Sequence, residues 1–320
     1  NNFASLKNKR SLSQRHFCSF GIYGEINTFH VEHIEMIEEE HIITQDFLTT
    51  NRKFKIARDK ETGILKTAPT PSKQDLLSYY NSDTYASHQE KANTLLLWLY
   101  VSIRKTTMKS KIKLISAIST KTGALLDLGC GLGDFLLAAQ AQGWNSNGIE
   151  PNHKAKTIAK KNTGREIYST IQEAQKTNKK YDVITMWHSL EHVLDLSSTV
   201  KFLHNSTKKK GKIVVAVPNH KSFDAKYYKN FWAAYDTPRH IWHFDQKSII
   251  NLFEKEGFIL EKKRRMMWDA FYISILSEKH KRNRLIYFRA AIIGAVSNFS
   301  SLFTGESSSL TYVFSKRNKI

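Results

Sequence analysis

Over the middle of the chain, short apolar runs alternate with segments of helical spacing. Residues 124–128, 146–149, 182–186 and 212–217 read as buried strands, and 133–142 and 152–162 as helices between them. Strands that alternate with helices imply right-handed βαβ units, so the predicted fold is α/β: a Rossmann-like, doubly wound, mostly parallel sheet with helices on both faces. Lys208-Lys209-Lys210-Gly211 reads as a turn before the strand at 212–217, and Pro218 as its end. A further helix at 248–256 stops at Gly257, and 258–262 with 310–315 can supply two closing strands.

The flanks read differently. Phe54 to Pro71 has the pattern of a small hairpin closed by Pro69 and Pro71, whereas 32–41 is acidic with weak helical spacing, and Gly21 and Gly24 flank a short aromatic run. Ser72 can cap a helix with Asp75 three positions on. From 90 to 119, Leu95, Trp98, Leu99, Ile103, Ile112, Ile115 and Ile118 recur among lysines, which predicts an amphipathic lead-in helix. Between Leu285 and Phe303, Arg289, Ser297, Asn298, Ser300 and Ser301 interrupt an apolar stretch, so an amphipathic helix and no transmembrane segment is expected. The chain divides into 1–71, an extension with the hairpin; 72–119, the lead-in; 120–263, the main domain; and 264–320, a helical insertion with a closing strand.

Composition narrows the picture. Two cysteines, Cys18 and Cys130, are too few for a disulfide framework and too far apart for a CxxC metal site, and the basic start lacks the apolar core of a secretory signal. A cytoplasmic location is the simplest expectation. The formal charge of +20 would steer an anionic partner. Lys262-Lys263-Arg264-Arg265 is the most compact basic cluster, but no basic groove interleaved with aromatic residues accompanies it, so a nucleic acid is possible without being favoured.

The chemistry sits at the first strand–helix turn, Asp127-Leu128-Gly129-Cys130-Gly131-Leu132-Gly133-Asp134. Glycines there let a nucleotide-like ligand approach the backbone. A dinucleotide fingerprint needs its last glycine where this chain has Asp134, and an acid at the helix start repels a pyrophosphate. S-adenosylmethionine carries a sulfonium and an ammonium and no phosphate, which makes Asp127 and Asp134 favourable. The next strand ends in Glu150, a carboxylate suited to a ribose diol.

The stretch from Leu125 to Asn152, then Tyr181 to His192, then Val217-Pro218-Asn219, resembles the class I S-adenosylmethionine-dependent methyltransferases of the ubiquinone-biosynthesis type, over about residues 125–258. The resemblance implies that Asp127, Gly129, Gly131 and Gly133 hold the methionine moiety, that Glu150 holds the ribose, and that Trp187 and His188 border the transferred methyl. Similar proteins often carry paired zinc-binding cysteines upstream of Thr67-Ala68-Pro69-Thr70-Pro71. This chain has none there, so no metal is expected.

Two further constellations stand out. His188-Ser189-Leu190-Glu191-His192 matches the H-x-x-E-H pattern of some zinc proteases, but His188 follows a strand directly and no third ligand is evident. His188 or His192 then serves as a lining residue or general base, or Glu191 and His192 only support a helix start. The segment 231–244 follows the fifth strand, at the sheet edge where open α/β proteins bind ligands. Its Tyr235, Asp236, Arg239, His240 and His243 are candidates for an acceptor pocket, against the alternative of an aromatic cap on the sheet. Methyl transfer to an O, N or C nucleophile of a small acceptor, anionic or glycan- or lipid-linked, is the expected activity, with His188, His192 and His240 as catalytic candidates. RNA or protein methylation and a non-catalytic binding protein are the alternatives. Oligomeric state is not encoded legibly.

Overall fold

The computed structural model of the chain describes residues 37–80 and 94–317. The basic start, Cys18, the aromatic run between Gly21 and Gly24, and the beginnings of the acidic patch and of the lead-in helix lie outside them. The elements are β1 (Ile37–Gln45), β2 (Lys53–Asp59), β3 (Leu65–Ala68), α1 (Lys73–Tyr80), α2 (Thr94–Ala117), β4 (Ala124–Leu128), α3 (Asp134–Gln140), β5 (Asn145–Ile149), α4 (His153–Thr163), β6 (Ile167–Tyr168), α5 (Ile171–Lys176) and β7 (Tyr181–Trp187). They continue with α6 (Leu196–Ser206), β8 (Thr207–Pro218), α7 (Phe223–Tyr228), β9 (Trp242–His243), α8 (Gln246–Lys255), β10 (Phe258–Arg265), α9 (Met267–His280), α10 (Ile286–Thr304) and β11 (Ser309–Lys316).

Seven strands form one sheet in the order β10-β11-β8-β7-β4-β5-β6. β8, β7, β4, β5 and β6 run parallel, while β11 is antiparallel to both of its neighbours. The inner strands are apolar because helices cover both faces: Val183, Ile184, Val214 and Val215 are all fully buried. Helix starts follow their caps. Asn152 accepts from Ala155 N–H ahead of α4, Asp195 from Ser198 N–H ahead of α6, and Asp245 forms a capping box with Ser248 ahead of α8.

The hairpin predicted between Phe54 and Pro71 is β2–β3, in register from Lys55↔Ala68 to Arg58↔Leu65. It belongs to a larger unit, an antiparallel sheet in the order β1-β2-β3-β9. The end of the acidic patch, from Ile37, is thus strand where helical spacing was expected. Its partner β2 supplies the backbone hydrogen bonds, and a pairing partner outweighs a weak local pattern. β9 comes from the segment after β8, pairing Leu65 with His243, so the N-terminal sheet grips the edge of the main domain. Lys208–Gly211 corrects a second expectation. These residues lie inside β8, whose pairing to β7 is irregular between Tyr181 and Val183. A side chain on Gly211 would meet the Tyr181 carbonyl oxygen at 2.8 Å, so this glycine serves strand packing and no turn.

Helices α9 and α10 form an antiparallel hairpin inserted between β10 and β11. The amphipathic helix expected at 285–303 is present, but its polar positions face inward: Ala290, Gly294, Ser297, Asn298 and Ser301 are the buried ones. The pin is Asp224 on α7, fully buried, which accepts from Ser297 Oγ at 2.7 Å, Trp232 Nε1 at 2.7 Å and Ser308 Oγ at 2.6 Å. An apolar side chain there strands three buried donors. Asp224→Ala is therefore expected to lower unfolding free energy in urea by on the order of 3 kcal/mol or more. A loss within experimental error would show that the hairpin does not depend on this carboxylate.

Candidate active site

The site lies along the carboxyl ends of β4, β5, β7 and β8. β4 delivers Asp127, 2% exposed, whose carboxylate accepts from Thr185 Oγ1 on the neighbouring β7 at 2.6 Å. Burial pushes the Asp127 carboxyl up to about 7. Beyond it the chain turns through Gly129 (φ 75°) and Gly131 (φ 54°). Gly129 is required twice over, since a Cβ would also lie 2.6 Å from Ser189 Cβ in the loop after β7. At Gly131 a Cβ would meet nothing within 4 Å, so the loop leaves open space at the point where its backbone faces Glu150.

Glu150, at the end of β5, accepts from Gly131 N–H and Asn152 N–H, each at 2.9 Å. Burial raises its pKa, and those two N–H groups hold it back down. The predicted set Asp127, Gly129, Gly131, Gly133 and Glu150 is thus brought together around one turn. Trp187 joins it from the end of β7, its ring edge-on to Phe135 at 5.5 Å and its Nε1 buried with no hydrogen-bond partner among the described residues.

Two residues at this locus escaped sequence reasoning. Lys111 on α2 carries its ammonium 4.6 Å over the Trp187 ring. Burial lowers its pKa, while the charges of Asp127 and Asp269 pull it back up. The signal was available, because Lys111 stands on the apolar face that runs through Met108 and Ile115. Asp269, on α9, accepts from His188 Nε2 at 3.0 Å, and nothing local announces it.

His188 has φ 55°, an uncommon value for a non-glycine residue, which turns the chain out of β7. Its Nδ1 lies 3.4 Å from Glu191 Oε1. Burial works against a charged ring, but the bonds to Asp269 and Glu191 outweigh it and hold the pKa up at about 10. Glu191 is fully buried and makes no conventional side-chain hydrogen bond among the described residues, so its compensation is ionic. His188 keeps its pKa low in spite of burial.

Beyond Glu191, the rings of His192 and His240 pack edge to face at 4.6 Å. Each anchors Nδ1 on a carbonyl, His192 on Arg239 O at 2.9 Å and His240 on Ala234 O at 2.8 Å. A carbonyl can only accept, so Nδ1 is the protonated nitrogen in both. Burial, reinforced by His240, pushes His192 down to about 4, so its ring is neutral at pH 7. Glu191, His192 and His240 bring metal-capable atoms within 4.8 Å of one another, a spacing that fits one divalent ion.

The remaining acceptor candidates divide. Tyr235 is buried and edge-on to Trp232 and His243, and burial raises its pKa to about 12. His243 bonds Thr67 Oγ1 through Nε2 at 2.8 Å, facing the N-terminal sheet. Arg239, 1% exposed, is clamped between Asp236 at 2.6 Å and Asp46 at 3.0 Å. These side chains hold segment 231–244 in place, and His240 and His192 are the ones presented beside Glu191. A cleft of about 490 Å³ lies at the opposite edge of the sheet among the strand starts Ala124, Asn145 and Tyr181, away from all of these groups.

A family model described as methyltransferase domain matches residues 100–263. No curated protein matches the chain. Among solved structures, it is similar to magnesium protoporphyrin IX methyltransferase from Synechocystis with bound S-adenosylhomocysteine, at 12% identity over 77% of this chain and 100% of that one, with a TM-score of 0.51. It is also similar to a cyclopropane synthase from Mycobacterium tuberculosis (15% identity, 64% of this chain and 82% of that one, TM-score 0.44). A third is phosphoethanolamine N-methyltransferase 2 from Haemonchus contortus (14% identity, 67% and 53%, TM-score 0.47).

Asp127 allows a test by linkage. Its folded pKa, about 7, lies above the ordinary 3.8, so its contribution to stability is fully present below pH 3.8 and is lost as pH rises through 7. Asp127→Asn removes that loss. The variant is expected to gain stability over the parent progressively from pH 4 to 7, with a plateau on the order of 2–4 kcal/mol above it. A stability difference that does not change with pH would show that Asp127 titrates normally.

Proposed function

Because the chain belongs to the methyltransferase-domain family of class I S-adenosylmethionine-dependent enzymes, we propose that it transfers a methyl group to an oxygen, nitrogen or carbon nucleophile of a small acceptor, anionic or glycan- or lipid-linked. The observation that carries this reading is the Glu150 carboxylate, held opposite open space at Gly131 and beside buried Asp127. The donor set fits S-adenosylmethionine, which supplies a methyl already activated by a positive sulfur. Glu150 would accept from the ribose hydroxyls. Asp127 and Lys111 present opposite charges side by side, which suits the ammonium and carboxylate of an amino acid. Trp187 and His188 would border the methyl.

The protein's own task is alignment, because in-line displacement at a sulfonium needs the nucleophile held in place more than it needs activation. His188 keeps its proton to about pH 10, so it positions through charge and removes no proton. His192, neutral at physiological pH, can accept one from a hydroxyl acceptor, and buried Glu191 beside it stabilises the imidazolium formed. His240 shares this role from the facing loop. Segment 231–244, fixed by the Arg239 clamp, walls the acceptor side.

Calorimetric titration tests the cofactor reading. S-adenosylmethionine and S-adenosylhomocysteine are expected to bind and NAD is not, and Glu150→Ala should weaken both by roughly tenfold or more. Failure of the parent protein to bind either sulfur ligand would overturn the proposal. Once an acceptor is found by radiolabelled methyl transfer, His192→Ala with His240→Ala should cut kcat by about 100-fold while cofactor affinity holds. Unchanged turnover would remove both histidines from the chemistry.

A further inference from the structure

On an ordinary surface helix the apolar stripe turns inward and the polar face meets water. α10 is the reverse. Its inward positions are the small and polar ones, and Gly294 packs so tightly on Phe271 that a Cβ would lie 2.6 Å from that ring. Its outward stripe is Leu285, Phe288, Ile292, Val296, Phe299 and Phe303, which recur at spacings of three and four. Phe288 is 66% exposed, Phe299 63% and Phe303 78%. α9 adds exposed Trp268 and Tyr272 on its own outward side. Asn298 Nδ2 donates to Met267 O at 2.9 Å, so Trp268 stands at the same end of the hairpin as Phe299 and Phe303.

The charges of the hairpin are sorted as well. Between 266 and 304 the two acids are Asp269, engaged with His188, and Glu278, fully buried against Tyr228 and Arg289. The exposed charges near the apolar face are all positive, with Lys279, Arg282 and Arg284 gathered at the turn between the helices. We propose that the outward face of the α9–α10 hairpin docks onto the surface of an anionic lipid bilayer. The phenyl and aliphatic groups enter the acyl boundary, Trp268 and Tyr272 take the headgroup level, and the turn cations pair with lipid phosphates.

Two other arrangements meet physical objections. α10 is long and apolar enough to cross a membrane by length and composition. Spanning would strip Ser297 from Asp224, Asn298 from Met267 and Arg289 from Glu278, bonds that hold the helix lengthwise along the protein. A second copy would bring equally cationic turns into the contact, with no exposed acid between 266 and 304 to receive them. Docking also bears on the site, since Asp269, the partner of His188, sits one residue beyond Trp268.

The test is co-sedimentation of the whole chain with vesicles of phosphatidylcholine alone or mixed with phosphatidylglycerol. Pelleting is expected with the mixed vesicles and should be lost in high salt. Phe288→Glu with Phe299→Glu should weaken it by about tenfold or more, with the circular dichroism spectrum unchanged. Arg282→Glu with Arg284→Glu should abolish the preference for phosphatidylglycerol. The proposal is overturned if the parent chain stays in the supernatant with both vesicles. It is also overturned if light scattering shows that the phenylalanine changes dissociate a dimer while pelleting is unaffected, which would assign the face to a second copy.

Discussion

Three carboxylates at one edge of the parallel sheet set the terms for the rest of this molecule. Asp127 and Glu191 are buried and Glu150 is half-buried, and a charge withdrawn from water survives only where something nearby compensates it. Each finds a different solution. Asp127 has Thr185 and the Lys111 ammonium, Glu150 has two backbone N–H groups, and Glu191 has a protonated His188. Those solutions dictate which elements must assemble around the edge: α2 for Lys111, the glycine loop for Gly131, and α9 for the Asp269 that shares His188.

The same reasoning explains how the N-terminal sheet and the main domain form one functional unit. Arg239 lies between Asp46 and Asp236, with 193 residues separating Asp46 from Arg239. The hydroxyl and backbone donors of Thr49 and Thr50, with the Arg239 charge, hold Asp46 at about 2 against burial, so the clamp is charged throughout the physiological range. With β3 paired to β9, it fixes the segment that carries His240, and thereby the spacing of His192 and His240. Asp236 and Arg239, acceptor-pocket candidates in the sequence, are thus also tied into the framework that positions His192 and His240.

Glycines, capping residues and apolar runs encode local geometry, and these were legible. The strands at 124–128, 146–149, 182–186 and 212–217, the glycine turn from Asp127 to Asp134, Glu150 after the second strand and the β2–β3 hairpin follow from short-range pattern, because each depends on neighbours within a few positions. The family resemblance rested on those same residues. What local pattern could not carry was orientation. Ser297, Asn298 and Ser301 read as interruptions of an apolar helix, whereas they are its anchored face, because Asp224 and Met267 supply partners from elsewhere in the chain. Lys208–Gly211 read as a turn because lysine and glycine are weak strand formers, and pairing to β7 overrides that.

By itself, then, the sequence determined the α/β architecture, the glycine turn with its acidic neighbours and the kind of ligand such a turn accepts. Tertiary structure alone decided that Lys111 and Asp269 stand beside Trp187 and His188, that Arg239 pairs with Asp46 and His243 with Thr67, and that one helix presents its apolar side outward. The physical reason is range. Secondary structure and turns are set by contacts a few residues apart, whereas the compensation of a buried charge depends on whichever distant segment the fold brings to it.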